Sequence, residues 1–376
     1  MSILRTGVIG KVAAIVFSIL LMEGFAFAFW EYRGSQRIAS HERVDLESTV
    51  LGREFETWRS SRTTPDKELG WTNNKAHKEV APDGSRRDQG PHSGINISVY
   101  GASFVYGAGV ANQEAFPSQL AVRLQNQVRN FGVGSYGPDQ AVLRLERHLA
   151  SGQRPEIVIL GMASESLARV TNIYRKLYIP VEIASFVKPM FAFKSGHWQN
   201  INAVPSWPPS VDARKKLIAV VKKHDGWYGQ NQLRLNSSFP YILTTIRAAK
   251  FFLFDVVRWQ DLYDDKRAIS TLEYVLERFI GLSKKYGFRP FFVIFPNPED
   301  LMRLQVGEDA YYTAFEDSIA RKYSKDMVMV PVLAEAFDVE RFNIRPLSGH
   351  PSAYGHKIIA SAIYKKIRPF VGTEAQ

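Results

Sequence analysis

Short apolar runs alternate with amphipathic stretches from about residue 95 to the end of the chain. Five runs have the length of buried strands, namely residues 95–103 (INISVYGAS), 129–134 (RNFGVG), 156–163 (EIVILGMA), 289–296 (RPFFVIFP) and 327–332 (MVMVPV). Three stretches repeat their apolar positions with helical spacing, namely residues 117–128, 138–150 and 352–367. Because crossover connections between such strands place helices above and below a sheet, the pattern predicts a mainly parallel sheet in a three-layer α/β/α fold.

The stretch between the third and fourth strands, at about residues 167–268, is far too long for an ordinary connection and predicts a helical insertion. Residues 215–223 (KKLIAVVKK) and the apolar segment 241–263 have helical character within it. The apolar segment suits either the protein core or a membrane-facing surface. Since polar residues interrupt it well short of a membrane span, we expect it in the core.

The N-terminal apolar run, residues 12–30, contains Glu23 as its only charged residue. At about 1.5 Å per residue, the run just spans a bilayer core of about 30 Å. Arg5 and Lys11 precede it, which predicts residues 1–11 in the cytoplasm and the rest of the chain outside. We therefore expect a single-pass protein of the inner membrane whose domain faces the periplasm or the exterior.

A cleaved signal peptide is the alternative for this run, because Ala26-Phe27-Ala28 has the small-x-small pattern of a cleavage site. The run is longer than a usual signal core, and the aromatic Phe29 and Trp30 follow the pattern directly. These two features favour the uncleaved anchor. The domain is exported under either interpretation.

Residues 31–94 are rich in charge, Ser, Gly and Pro, with only short apolar patches such as Leu69 to Trp71. This composition predicts a stalk that packs partly on the domain. We expect the domain itself to occupy residues 95–376, interrupted by the insertion.

Composition and charge exclude several kinds of site. The chain has no cysteine, so it has no disulfide, thiolate nucleophile or cysteine-bound metal. The net charge of +11 can hold the chain near anionic lipid or an acidic polymer, but the basic residues are scattered and favour a solvated surface. We expect no nucleic-acid partner for an exported domain, and neither a metal nor a cofactor, because no histidine spacing or glycine-rich phosphate motif indicates one.

Two residues have the chemistry and position of a nucleophile and its base. Ser103 ends the first strand in the glycine-rich GASFVYGAGV, and His350 precedes the last helix in SGHPSAYGH. Because ligand crevices of parallel sheets lie at the carboxyl ends of the strands, both residues are expected at one edge of the sheet. A histidine that accepts the serine proton makes the hydroxyl a nucleophile.

Three strings in the correct order resemble the SGNH/GDSL hydrolases, particularly the membrane-anchored members associated with bacterial polysaccharide modification. They are GASFVYGAGVANQEAFPSQL, NFGVGSYGPDQ and GHPSAYGH, within a region of resemblance from about Leu69 to Pro369. The resemblance implies a flavodoxin-like fold, with Ser103 as the nucleophile and His350 as the general base. His356 falls at a position without a catalytic role, and we expect it at the helix start or in solvent.

The active-site blocks depart from the family pattern at several positions. Ser135, beside Gly134, stands at the oxyanion glycine, where a backbone N–H can still serve. No asparagine follows the third strand, and the polar candidates there are Ser164 and Ser166, with Glu165 between them. Ser348 stands where the family has the aspartate that orients the histidine, so the orienting group is unknown.

The resemblance implies an extracytoplasmic serine esterase or O-acyltransferase that acts on acyl esters, such as acetyl esters, of a cell-surface polysaccharide. Membrane-bound polysaccharide assembly machinery is an expected partner. The alternative is a catalytically inactive relative that binds polysaccharide or supports assembly at the membrane. Trp198, Trp207 and Trp227 of the insertion suit sugar stacking or, equally, core packing.

Overall fold

The computed structural model describes residues 3–29, 45–87, 94–179, 182–229, 239–250, 253, 257–344 and 349–371. The strands in these ranges are β1 (Thr63–Asp66), β2 (Gly70–Asn73), β3 (Ile97–Gly101), β4 (Val128–Gly132), β5 (Ile157–Ala163), β6 (Met190–Lys194), β7 (His197–Ile201), β8 (Arg289–Phe295) and β9 (Val328–Val330).

Helices before the insertion are α1 (Ile3–Phe29), α2 (Leu46–Leu51), α3 (Arg53–Glu56), α4 (Ser103–Tyr106), α5 (Phe116–Leu124) and α6 (Pro138–Ala150). The insertion contains α7 (Arg175–Tyr178), α8 (Val211–His224) and α9 (Tyr241–Lys250). The remaining helices are α10 (Lys266–Tyr286), α11 (Pro298–Gln305), α12 (Thr313–Lys322), α13 (Val339–Phe342) and α14 (Ala353–Ile367).

The central sheet has five parallel strands in the order β4-β3-β5-β8-β9. Numbered by their order in the chain, these strands run 2-1-3-4-5, the doubly wound order of flavodoxin-like folds. From β3 the chain first adds β4 on one side of the sheet and then β5, β8 and β9 on the other side. The strand order therefore reverses between β3 and β5, and such sheets bind their ligands at this point. The predicted α/β fold and its parallel sheet are confirmed.

Alternate residues of the strands supply two separate cores. Val99, Ile159 and Val293 pack with α5 and α14 on one face of the sheet. Tyr100 and Leu160 belong to the larger core on the other face, with α6, α10 and α12. Because both faces are covered, β3, β5 and β8 are apolar over most of their length, and this is the pattern that made them recognisable.

Helix α5 ends at Leu124, four residues before the predicted end. Gln125 closes it in the left-handed conformation, with φ of +52°. The next residue, Asn126, turns its side-chain oxygen toward the N–H of Ile95, at 2.6 Å. This contact ties the loop to the chain just before β3, and β4 then starts at Val128.

Residues 45–87 form a layer that packs against the domain, called the N-terminal layer below. Strands β1 and β2 pair as an antiparallel hairpin, and Trp71 of β2 is fully buried. Its indole N–H donates to the carbonyl of Gly134 over 2.9 Å, and its ring stacks on Phe186 of the insertion. This part of the expected stalk is therefore a wall of the domain, and the division at residue 94 stays a prediction.

The insertion begins as a tightly held part of the domain. The ammonium of Lys188 donates to Asp139 at the start of α6 over 2.5 Å, and both side chains are buried. The indole of Trp227 is also buried and donates to the carbonyl of Ala168 over 2.9 Å. Trp198 stacks on Tyr274 of α10, so both tryptophans take part in packing.

The apolar segment 241–263 differs from its prediction in two ways. It is α-helical only over α9 among the described residues, and Trp259–Tyr263 is a separate 3-10 turn. The core interpretation is wrong for α9, because Leu243 and Ile246 are 49% and 58% exposed. Its small residues Thr244 and Ala248 are the buried ones.

Helix α1 is long and apolar enough to cross a membrane, with a mean hydropathy of 2.3 over Lys11–Phe29. Its residues from Lys11 onward are exposed except Glu23 and Ala26, which lie three positions apart on one face. Helix α9 packs on this helix. Trp30, the last residue of the predicted span, lies outside the described residues.

Candidate active site

Ser103 stands at the start of α4, directly above the end of β3. Gly101 and Gly132 end β3 and β4, and Gly161 lies beside Gly101 in β5, two residues before that strand ends. A Cβ on Gly101 would lie 2.2 Å from the carbonyl oxygen of Gly161, and one on Gly132 would lie 2.3 Å from the N–H nitrogen of Tyr106. The absence of side chains at these positions lets α4 settle on the sheet and place Ser103 at its edge.

Two side chains from other elements hold the turn that follows Ser103. The guanidinium of Arg86 donates to the carbonyls of Tyr106 and Gly107, over 2.7 and 2.9 Å. The side-chain amide of Asn130 donates to the carbonyl of Val105 over 2.9 Å. Because these bonds satisfy the carbonyls that a short helix leaves unpaired, they fix the backbone that carries the serine.

His350 is fixed by the loop before α14. Its carbonyl accepts from the N–H of Ile344 at 2.9 Å, and Ser352 caps the helix by accepting from the N–H of Gly355 at 3.1 Å. The imidazole Nε2 of His350 lies 2.8 Å from the Oγ of Ser103. The structure thus brings together two residues that are 247 positions apart in the sequence.

The surroundings of His350 favour its neutral form. Burial lowers the pKa of the imidazole, the charge of Arg169 lowers it further, and the charge of Glu165 raises it. Arg169 and Glu165 form a partly buried ion pair, and a second Glu165 oxygen accepts from the hydroxyl of Tyr178 over 2.7 Å. A neutral imidazole is the form that accepts a proton from serine.

A cavity of about 180 Å³ opens beside Ser103. Gly134 and Ser135 line it from the loop after β4, and Ile183 and Phe186 line it from the insertion. The remaining wall comes from the N-terminal layer and α4, through Ser60, Arg62, Thr63, Asn73, Tyr106 and Ala108. The cavity is small beside the roughly 300–1,000 Å³ of pockets that hold drug-sized ligands.

Ser135 occupies a glycine-like conformation, with φ of +65°. Its hydroxyl donates to Glu182 of the insertion over 2.7 Å, and Glu182 also lies 3.7 Å from the buried guanidinium of Arg175. The side chain thus compensates for a backbone that favours glycine. The backbone N–H of Ser135 remains a candidate oxyanion donor, and Gly134 lines the cavity beside it.

Ser164 and Ser166 are not among the residues that line this cavity. The hydroxyl of Ser164 is fully buried, donates to the carboxylate of Asp300 and lies 3.0 Å from the Oδ1 of Asn297. The hydroxyl of Ser166 is also fully buried and has no hydrogen-bond partner among the described residues. The hydroxyl of Ser164 is therefore already engaged, and the oxyanion role of both serines stays a prediction.

Ser348, at the usual aspartate position, lies outside the described residues. His356 lies in the first turn of α14, one of its two expected places, but it is fully buried rather than in solvent, and its Nδ1 accepts from the N–H of Phe116 at 3.3 Å. Burial lowers the pKa of His356 to about 3, so this imidazole is neutral. The part of the chain that the structure describes contains no group of three His, Asp or Glu side chains arranged to hold a metal ion.

Sequence reasoning missed the contribution of the N-terminal layer. Asn73 lines the cavity and donates to the carbonyls of Gly84 and Gly132, over 3.1 and 3.0 Å. Arg62 adds a cationic side chain at the cavity, and Arg86 holds the turn after the serine. The apolar patch around Trp71 was the available signal, because an isolated tryptophan in a polar segment indicates a packed anchor.

No family model and no curated protein matches the chain. Solved structures do match it. A lipolytic protein of the G-D-S-L family from Desulfitobacterium hafniense aligns over 72% of this chain and 97% of its own, with 11% identity and a TM-score of 0.36. A lipolytic member of the same family from Veillonella parvula aligns over 72% and 97%, with 8% identity and a TM-score of 0.37.

A salicylyl-acyltransferase from a tetracycline biosynthetic pathway aligns over 76% of this chain and 58% of its own, with 11% identity and a TM-score of 0.32. The chain is thus similar to proteins of the G-D-S-L family, in line with the motif resemblance. The strand order of this chain and the distance between Ser103 and His350 define its fold and its candidate site.

Proposed function

We propose that the protein is a serine esterase or O-acyltransferase in which Ser103 is the nucleophile and His350 the general base. The observation that carries the proposal is the 2.8 Å approach of the Ser103 Oγ and the His350 Nε2 at the winding switch of the sheet, beside a cavity. The lowered pKa of His350 supports it further, because the base is neutral at neutral pH.

In the first half-reaction, the Ser103 Oγ attacks the acyl carbonyl carbon while its proton passes to the Nε2 of His350. The carbonyl oxygen becomes an oxyanion, which the N–H groups of Ser103 and Ser135 stabilise. Collapse of the intermediate breaks the bond to the alcohol oxygen, and His350 returns the proton to that oxygen. The acyl group is then esterified to Ser103.

In the second half-reaction, an acceptor hydroxyl attacks the acyl-serine. His350 removes the proton of the acceptor and returns it to the Oγ of Ser103. Water as the acceptor gives hydrolysis, and a sugar hydroxyl gives transfer. The same residues serve both outcomes, so access of water to the acyl-enzyme decides between them.

The size of the cavity favours a short acyl group. Its volume of about 180 Å³ is below the roughly 300–1,000 Å³ of pockets that hold drug-sized ligands. An acetyl group fits this space, with room for part of the sugar that carries it. We propose acetyl esters as the substrate class.

A cell-surface polysaccharide is the proposed carrier of these esters. The proposal depends on membrane insertion of α1, with Arg5 and Lys11 on the cytoplasmic side and the domain outside. Membrane-bound machinery that assembles the polysaccharide is the proposed partner. Arg62 at the cavity, together with the net charge of +11, suits a polymer that carries acidic sugars.

One observation favours the alternative, a catalytically inactive polysaccharide-binding or assembly protein. The hydroxyl of Ser164 is engaged by Asp300, so the region after β5 presents no side-chain donor from this residue to an oxyanion. Loss of one such donor costs about 10²–10³-fold in rate. A rate below detection in a folded protein would therefore support the alternative.

The full-length protein in detergent, assayed with p-nitrophenyl acetate and a fluorophosphonate serine probe, tests the proposal. We expect hydrolysis and labelling in the wild type and neither in Ser103→Ala. Ser151→Ala is the matched control, because Ser151 is exposed, follows the last residue of α6 and does not line the cavity. A folded wild type that neither labels nor hydrolyses would refute the enzyme proposal.

Addition of an oligosaccharide acceptor distinguishes transfer from hydrolysis. A transferase forms an acetylated sugar and consumes p-nitrophenyl acetate faster when the acceptor is present. An esterase forms acetate at an unchanged rate. Mass spectrometry of the sugar measures the difference directly.

A further inference from the structure

Helix α9 packs on the membrane-type helix α1 in an arrangement that exposes its large apolar side chains. Leu243 and Ile246 point outward, and Phe239, just before the helix, is 73% exposed. The small residues Thr244 and Ala248, four positions apart, are buried. Exposed apolar surfaces of this kind mark a contact with a membrane or with another protein.

Glu23 of α1 binds the start of α9. Its carboxylate accepts hydrogen bonds from the backbone N–H groups of Tyr241 and Ile242, the latter over 3.0 Å. The rings of Phe27 and Tyr241 meet edge to face, with centroids 5.1 Å apart. Glu23, the only charged residue of the apolar run, thus accepts hydrogen bonds from N–H groups at the start of α9. These groups would have no acceptor in the hydrocarbon of a bilayer.

The position of Glu23 sets the depth at which α9 begins. At about 1.5 Å per residue, Glu23 lies about 18 Å along α1 from Lys11 and about 9 Å from Phe29. In a bilayer crossed by α1, the start of α9 is therefore below the outer surface of the hydrocarbon. Its ten residues span about 15 Å, enough to reach the headgroups.

The exposed side of α9 changes character from the start of the helix to its end. Leu243 and Ile246 are followed by the exposed cations Arg247 and Lys250. Long cationic side chains at the end of an apolar surface extend to the lipid phosphates. An apolar groove of about 350 Å³ also lies between the helices, lined in part by Met22, Phe25 and Phe29 of α1 and by Ile242 and Ile246 of α9.

We infer that α9 is a second membrane contact, seated in the outer leaflet against α1, with an acyl chain of a lipid in the groove between them. The inference rests on the proposed membrane insertion of α1. The exposed apolar surface of α9 continues that of α1, whose residues from Lys11 to Phe29 are exposed on every side except the face that carries Glu23 and Ala26. A bilayer covers both surfaces at once.

Because the chain has no cysteine, single cysteines can report depth in the bilayer. The full-length variants Leu243→Cys, Phe25→Cys and Val306→Cys would be labelled with NBD and placed in vesicles that carry nitroxides on the acyl chains. Val306 is the matched exposed control on the domain, at 73%, and Phe25 on α1 is 74% exposed. We expect strong quenching and a blue shift at positions 25 and 243, and neither at 306.

The outcomes separate this inference from the proposal on which it rests. Quenching at 25 without quenching at 243 overturns the inference and leaves the anchor standing. Absence of quenching at 25 overturns the anchor itself. A blue shift at 243 that grows with the protein-to-lipid ratio, without quenching by lipid nitroxides, means that a second copy covers α9 and also overturns the inference.

Substitution of Glu23 tests the contact between the helices. Glu23→Ala leaves two N–H groups of α9 without an acceptor, and we expect quenching at position 243 to fall to half or less. Glu23→Gln keeps one acceptor oxygen and is expected to retain most of the quenching. Equal quenching in all three proteins would show that Glu23 does not hold α9 in the bilayer.

Discussion

Two serines follow neighbouring parallel strands of this protein and have opposite surroundings. Ser103 comes after β3, and its hydroxyl meets the neutral imidazole of His350 beside a cavity. Ser164 comes directly after β5, and its buried hydroxyl donates to the carboxylate of Asp300. The end of a parallel strand offers a place for a reactive group, but the partner of the hydroxyl and the access of solvent determine its chemistry.

The two partners differ in what they do to a proton. A neutral imidazole accepts the serine proton and becomes a cation. A buried carboxylate that already accepts a hydrogen bond from the serine stabilises the hydroxyl in its protonated form. We therefore expect Ser103 to be reactive and Ser164 to contribute to stability.

The largest effect is expected from Ser103→Ala, which removes the nucleophile. The kcat for p-nitrophenyl acetate should fall by about 10³-fold or more, with the melting temperature nearly unchanged. Steady-state kinetics and a thermal melt measure both quantities. A Ser103→Ala protein with more than a tenth of wild-type kcat would show that another group attacks the ester.

His350→Gln removes the base and keeps a side chain of similar reach. We expect a loss of about 10²–10⁴-fold in kcat, together with loss of fluorophosphonate labelling, because the hydroxyl no longer has a proton acceptor. His356→Gln is the matched control, as His356 is buried in the core and its Nδ1 accepts from a backbone N–H. If His356→Gln reduced kcat as much as His350→Gln in a folded protein, the assignment of His350 as the general base would be contradicted.

Ser164→Ala should affect stability rather than rate. Removal of the hydroxyl leaves the Asp300 carboxylate with one donor fewer, at a cost of about 1–3 kcal/mol in the free energy of unfolding. We expect kcat to stay within about threefold of the wild type. A loss of kcat comparable to that of Ser103→Ala, without a loss of stability, would mean that Ser164 acts in catalysis.

The cost of Ser164→Ala should also depend on pH. Burial raises the pKa of Asp300 to about 6, although the hydrogen bond from Ser164 lowers it. The variant loses a bond that favours the charged form, so it should be destabilised more at pH 8, where the carboxyl is ionised, than at pH 5. Denaturant melts at the two pH values measure the difference, and an equal cost would contradict the role assigned to the bond.

The smallest effect is expected in the pH dependence of kcat/KM, for the wild type and for Glu165→Gln. Since burial and Arg169 lower the pKa of His350, kcat/KM should be constant at neutral pH and should fall only below the ordinary histidine value of about 6.5. Glu165→Gln removes the charge that raises this pKa, so the acid limb should move to lower pH. An acid limb above pH 7 would contradict the surroundings described for the imidazole.

The strands and the paired residues were predictable because their signals are local. Apolar runs covered on both faces mark the five strands, and Ser103 and His350 each lie in a short recognisable string. The environment of Ser164 depends on Asp300, 136 residues later, and no local pattern records such a contact. The wall formed by Arg62 and Asn73 was missed for the same reason.

The misassigned helix α9 shows a different limit. Its apolar composition fits either a core or a membrane, and only the direction of its small and large side chains separates the two. Thr244 and Ala248 are buried, whereas Leu243 and Ile246 are exposed, although Ile246 also lines the groove beside α1. Composition predicts that a helix is apolar but does not say which neighbour covers each side.

The row of Gly101, Gly132 and Gly161 has a consequence for any attempt to move this site to another protein. The position of Ser103 depends on the reacting residues and equally on these three glycines, where a methyl group would clash with neighbouring atoms. A transplanted Ser103 and His350 would not meet on a sheet that carries alanines at those places, because the helix beneath the serine would be lifted from the strands. Engineering this chemistry elsewhere therefore begins with emptying space in the recipient, before any reactive residue is introduced.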